Sequence, residues 1–131
     1  MANDKKAIQT DVAPKALGPY AQAIVAGGMV YCAGQIPLDP KSGNIVPGGI
    51  AEQTHQVLKN LGAVLKAAGS DLTRAVKTTV FIKDMNNFAA MNAAWDMWVP
   101  EGNAPPRATV ESKLANPACL VEVVVVTAVR S

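Results

Sequence analysis

The sequence is poor in the residues on which most enzyme chemistries rely, with one histidine and two cysteines among 131 residues. A lone His55 leaves no histidine-based metal cluster, and no Ser–His or Cys–His pair that does not depend on it. It lies beside Glu52, Gln56 and Lys59 on the polar side of a helical stretch and reads as a surface residue. Cys32 and Cys119 have neither CxxC nor metal spacing, and both sit in apolar, strand-like contexts where a reduced thiol acts as a small hydrophobe. The glycines at 27, 28, 34, 48 and 49 form neither GxGxxG nor GxxxxGK, so nucleotide cofactors have no support. No apolar run reaches membrane length. Charge is scarce in both signs: 12 basic and 10 acidic residues give a net +2, without runs and without basic residues interleaved with aromatics, which disfavours nucleic acid as a partner. The opening MANDKKAIQT has neither an apolar secretion core nor the Arg-rich, acid-free character of an import signal, so a soluble cytoplasmic protein is expected.

What is present is punctuated order. Half of the residues are apolar, enough for a single domain over 1–131 with its own core, and there is no repeat or long linker. AIVAGGMVYCAGQI predicts a hairpin of strands near 22–26 and 29–34 around Gly27 and Gly28. From Ile50 the positions Ile50, Thr54, Val57, Leu58, Leu61, Val64, Leu65 and Ala68 recur at helical spacing, with Gly69 as the stop. AVKTTVFIKD predicts a strand over about 75–83. Asp84 to Asn87 then cap a second helix whose inward stripe is Phe88, Met91, Trp95 and Trp98, ending before Pro100. RATVES is another strand. The last run, CLVEVVVVTAV, is apolar on both alternating faces except at Glu122, the pattern of a strand at the centre of a sheet. Right-handed crossovers put both helices on one face of this α/β arrangement. The uncovered face then predicts oligomerisation.

Four residues invite a chemical reading. In NAPPRATVE, Pro105 and Pro106 hold the backbone extended and withhold amide donors, so a strand starts no earlier than Arg107 and the guanidinium sits at its rim. Such an arginine is either a solvated charge or a fixed fork for a planar carboxylate. Glu122 is the one charge in the final strand, and its desolvation must be met by a cation, hydrogen bonds or protonation. Arg107 is the obvious candidate cation; a structural ion pair and a functional site both remain open. Asn92 falls next to the inward stripe of the second helix, where it either ties helix to loop or serves a site. Tyr20 follows a Gly-Pro turn in LGPYAQA and is either packing or a hydroxyl at the sheet rim.

LGPYAQA, AGQIPLDPKSG, KTTVFIKDMNNFAAMNAAW and PPRATVE followed by VEV resemble, in register from about residue 8 to 130, the Rid family of reactive intermediate deaminases, also called the YjgF/YER057c/UK114 family. The resemblance implies a chorismate-mutase-like α/β (α+β) fold: a mixed six-stranded sheet with two helices on one face and the last strand between the strands flanking the first helix. It further implies a homotrimer with clefts between subunits. The implied activity is cofactor-free hydrolysis of 2-imino acids, 2-iminobutanoate and 2-iminopropanoate, to the 2-oxo acid and ammonia.

Carried over by position, Arg107 matches the arginine that clamps the substrate carboxylate, and Glu122 the acid that holds and helps activate water. Tyr20 matches the cleft tyrosine, Gly34 the glycine whose backbone reaches the imino nitrogen, Thr109 a backbone contact, and Asn92 a helix asparagine near the cleft. The chain departs from common family choices with Ala33, Pro106, Thr109 and Val124, the last replacing an acidic residue, while Arg107 and Glu122 are retained. Imines are already electrophilic, so positioning and a held water suffice, with no metal or organic cofactor. Two alternatives stand beside this reading: a non-catalytic module binding small carboxylates, and a ribonuclease or translation inhibitor.

Overall fold

Short apolar runs separated by tight turns build the first half of the sheet. In the computed structural model, which describes residues 4–130, β1 (Lys5–Ile8) pairs antiparallel with β2 (Ala23–Ala26), and β2 with β3 (Met29–Cys32). Gly27 and Gly28 turn the β2–β3 hairpin with φ of 58° and 77°, the left-handed pair that a two-residue primed turn requires. Helix α1 (Ile50–Ala67) begins where Glu52 Oε1 accepts the Gly49 N–H at 2.8 Å. It ends in a Schellman closure: Gly69, at φ 80°, donates to the Lys66 carbonyl at 3.2 Å and Ser70 to that of Leu65 at 2.8 Å. Then follow β4 (Ala75–Ile82), α2 (Phe88–Asp96), β5 (Arg107–Glu111) and β6 (Val121–Ala128).

The six strands lie in the order β1-β2-β3-β6-β4-β5. The final strand therefore inserts between the two strands that flank α1, antiparallel to both, whereas β4 and β5 run parallel across the α2 crossover. This mixed sheet with two helices agrees with the expected arrangement. β1 has no counterpart among the strands read from the sequence, because KKAI is too short and too charged to stand out. The second helix stops at Asp96 rather than reaching Pro100, and Trp98 sits in the turn beyond it.

Alternation along β6 decides the packing. Val121, Val123 and Val125 are at most 1% exposed and pack against Val57, Leu61, Val64 and Leu65 of α1, with Met91 and Trp95 of α2 in the same core. Each such valine contributes on the order of 1.5–3 kcal/mol by leaving water. The intervening Glu122, Val124 and Val126 point to the other side, where the register aligns Val126 with Tyr31 and Ile24, and Glu122 with Phe81 and Val110. Those neighbours are half-buried or exposed, and among the described residues no helix covers them. No helix of the described residues is long and apolar enough to cross a membrane.

Both cysteines are free and buried. Burial pushes the Cys32 thiol up to about 12. Burial and the Glu122 carboxylate raise that of Cys119, with Lys83 opposing. Because the thiolate is the reacting form, native protein treated with a disulfide reagent such as DTNB at mildly alkaline pH is expected to stay silent and to release both thiols only in guanidinium. Prompt reaction of either thiol in the native state would contradict their placement.

Candidate active site

The chemistry-bearing residues form two groups at separate places. The first is built on the start of β5. Arg107 pairs in register with Thr78 of β4, on the helix-bearing face, and its Nη2 donates to Asn92 Oδ1 of α2 at 2.6 Å. Its Cζ lies 5.1 Å from the centroid of the Trp95 ring and 5.9 Å from that of Phe88. The guanidinium is thus oriented by one hydrogen bond and two aromatic rings, with donors left for a second carboxylate-shaped partner. Partial burial pushes its pKa down and nearby Asp96 opposes this, but an arginine stays charged at neutral pH. Thr109, two residues on and aligned with Val80, shares this face, and its Oγ1 is buried with no hydrogen-bond partner among the described residues. Arg107, Asn92 and Thr109 therefore come together.

The second group is built on β6 and the end of β3. Glu122 and Gly34 are neighbours because Gln35 bridges to Val123 with two backbone hydrogen bonds, Gln35 N–H to the Val123 carbonyl at 2.9 Å and Val123 N–H to that of Gln35 at 3.1 Å. A Cβ at position 34 would lie 3.0 Å from the Glu122 Cδ and closer still to its Oε2, so glycine is what lets the carboxylate lie against the backbone there. Burial raises the Glu122 pKa, and among the described residues no neighbouring cation opposes it. Tyr20 and Gly34 line one small concavity with Lys15, Leu17 and Ile36, and the Tyr20 hydroxyl oxygen accepts the Leu17 N–H at 3.1 Å.

The Arg107–Glu122 ion pair that the sequence suggested does not form within one chain. Arg107 aligns with Thr78 and Glu122 with Phe81, an offset of three residues that places them on opposite faces of the sheet. Two strand spacings and three residue rises separate their Cα atoms by roughly 14 Å. His55 also departs from its surface reading: it is half-buried, and its Nδ1 accepts the Trp98 indole N–H at 2.9 Å, tying α1 to the turn after α2. An apolar cleft beneath α2, lined by Leu58, Thr78, Trp95, Trp98 and Pro105, holds ≈ 10 Å³. That is room for about one water molecule, far too little for an organic acid. Among the described residues no group of three or more His, Cys, Asp or Glu could hold a metal.

The raised Glu122 pKa makes a testable statement about stability. A carboxyl that binds its proton more tightly folded than unfolded contributes fully below the ordinary carboxylate range, and that contribution is lost as pH rises through its folded pKa. The Tm of Glu122→Gln relative to wild type is therefore expected to rise as pH is raised from about 4, the ordinary carboxylate range, toward neutrality. A difference that stays constant across that window would show that Glu122 is not the desolvated group described.

Residues 10–129 match the family model described as Endoribonuclease L-PSP. The chain is 48% identical over 107 residues to the 2-iminobutanoate/2-iminopropanoate deaminase of Rattus norvegicus, covering 82% of this chain and 77% of that protein. Among solved structures, the Rid family protein YyfA of Yersinia pestis superposes with a TM-score of 0.91 at 42% identity, covering 95% of this chain and 99% of that one. TdcF of E. coli, solved with bound serine, gives 0.87 at 38% identity, covering 96% and 99%. With a six-stranded mixed sheet, two helices and matching motifs over nearly its whole length, the chain belongs to the Rid family, the family described by the endoribonuclease L-PSP model.

Proposed function

We propose that this protein is a cofactor-free hydrolytic deaminase of 2-imino acids, 2-iminobutanoate and 2-iminopropanoate, working in the cytoplasm as a homotrimer with clefts between copies. The observation that carries the reading is Arg107: a guanidinium held by Asn92 and two aromatic rings, with further donors free for a planar carboxylate. The deaminase name of the rat relative and the serine bound to TdcF, itself a small amino acid with a carboxylate, support the substrate class.

The placement of the two groups supports assembly. They lie on opposite faces of one sheet, which favours a cleft where Arg107, Asn92 and Thr109 of one copy face Glu122, Gly34 and Tyr20 of another. The uncovered face bearing Tyr31, Val124, Val126 and Phe81 supplies the apolar surface for such docking.

In the proposed reaction Arg107 clamps the carboxylate and holds C2 of the imine at a fixed place. Glu122 accepts a proton from water as its oxygen adds to C2 and the C=N electrons move to nitrogen, and it returns that proton to nitrogen to give the carbinolamine. The same carboxylate then takes the C–O–H proton and passes it to nitrogen as the C–N bond breaks, so that ammonia leaves and the carbonyl of the 2-oxo acid forms. Water supplies the oxygen and both hydrogens that balance the step. A Glu122 pKa raised by burial makes the carboxylate a better proton acceptor, as a group that relays protons from water to nitrogen requires. Tyr20 and the backbone at Gly34 and Thr109 line the path of the nitrogen and the carboxylate.

A second reading, ribonuclease, rests on the description of the family model; a net charge of +2 without a basic–aromatic stripe weighs against it. The deciding assay couples purified protein to a threonine dehydratase and follows 2-oxobutanoate release from the imine. Wild type is expected to accelerate it. Glu122→Gln should lower kcat by about 10²- to 10⁴-fold, while Arg107→Lys should act mainly by raising KM, because an ammonium cannot reproduce the bidentate fork. A Glu122→Gln variant that binds 2-oxobutanoate and clears imine at the wild-type rate would overturn the role given to Glu122, a wild type that binds 2-oxobutanoate without accelerating hydrolysis would leave only a carboxylate-binding module, and RNA cleavage that survives in Arg107→Ala would favour the nuclease. Light scattering should give three times the chain mass, and a monomer at micromolar concentration would sink the shared cleft.

A further inference from the structure

We propose that Gln53 and Asn60, two buried amides on α1, are positioning residues that hold Glu122 against Gly34. This rests on the deaminase reading above for its kinetic consequences. The two lie seven residues apart, two helical turns, and are 3% and 1% exposed. An apolar residue at either place would serve the core better, so each amide is retained for what it bonds.

Gln53 grips the approach to β6. Its Nε2 donates to the Ala118 carbonyl at 3.0 Å and its Oε1 accepts the Leu120 N–H at 2.7 Å. Both ends of one side chain are thus fixed on the segment that delivers Glu122 two residues later. Asn60 grips the chain leaving Gly34. Its Nδ2 donates to the carbonyls of Ile36 at 3.2 Å and Leu38 at 2.9 Å, and its Oδ1 accepts from Gln56 Nε2 at 2.8 Å, so the amide is fully engaged. Between these grips the Gln35–Val123 bridge joins the two segments, and the Gly34 backbone meets the Glu122 carboxylate. One rigid helix therefore fixes both sides of the contact. Arg107 has no part in this arrangement, since α2 orients it through Asn92.

That division gives the test. Gln53→Met and Asn60→Leu keep bulk and remove the hydrogen bonds. Each is expected to lower kcat on 2-iminobutanoate by about 10- to 100-fold, the usual effect of loosening a supporting shell, with KM little changed because the carboxylate anchor is untouched. Gln53→Glu keeps the acceptor for Leu120 and should stand between Gln53→Met and wild type. A second readout needs no turnover: carboxyl titration of Glu122 by ¹³C NMR in the intact protein should move toward the ordinary carboxylate range as its site becomes wetter. A kcat that falls only with the folded fraction, beside an unchanged Glu122 titration, would reduce both amides to general stability and overturn the proposal. If wild type fails to hydrolyse imines yet the titration moves in the variants, the deaminase reading fails and the positioning role stands. Should Gln53→Met not fold, Asn60→Leu and Gln53→Glu carry the same comparison.

Discussion

Everything else in this molecule is arranged around the insertion of β6 between β3 and β4. A strand bonded along both edges and apolar on one whole face has a single register in which its valines meet the helices, and a slip of one residue would turn Glu122 into the core and Val123 out of it. The cost of placing a carboxylate one residue from that core is met by geometry rather than by a cation. The bridge from Gln35 to Val123 and the missing side chain at 34 provide the space, and burial raises the affinity of the group for its proton. The strand that closes the sheet last in sequence is thus also the one that carries the candidate acid.

Much of this was legible in the order of residues. Valines at consecutive positions announced a central strand, the spacing from Ile50 to Ala68 announced α1, and the double proline fixed where β5 begins. What escaped reading did so for physical reasons. β1 is an edge strand of four residues, two of them lysines, stabilised by pairing rather than by its own pattern. Gln53 and Asn60 sit at stripe spacing, three and four residues from Ile50, Val57 and Val64, but as polar residues they drew no reading, and only the carbonyls and amide they meet, up to 67 positions away, show why they are buried. The attraction between Arg107 and Glu122 was reasonable from charge alone, but register assigns them to opposite faces. None of the six candidate residues could have been grouped by spacing; family motifs grouped them, and the fold sorted them into two sets.

The two sets are stabilised by different physics. Around Arg107 the surroundings are aromatic rings, one amide oxygen and the nearby Asp96 carboxylate, which favour a cation and orient its fork. Around Glu122 they are the Gly34 backbone and the apolar Phe81 of β4, and burial there disfavours an anion. On the deaminase reading this contrast suits an anionic, electrophilic ligand: its carboxylate answers the guanidinium, and its reacting carbon needs a carboxylate whose raised proton affinity lets it draw a proton from water. A fold with one histidine can provide this contrast by burial alone.

The contact between Gly34 and Glu122 also makes the carboxylate removable without touching its charge. The atoms that a methyl group at 34 would meet belong to the far end of a flexible side chain, which can swing aside with little loss of packing. Position 34 therefore behaves as a steric gate on an electrostatic device: hydrogen keeps the carboxylate seated, and one carbon evicts it.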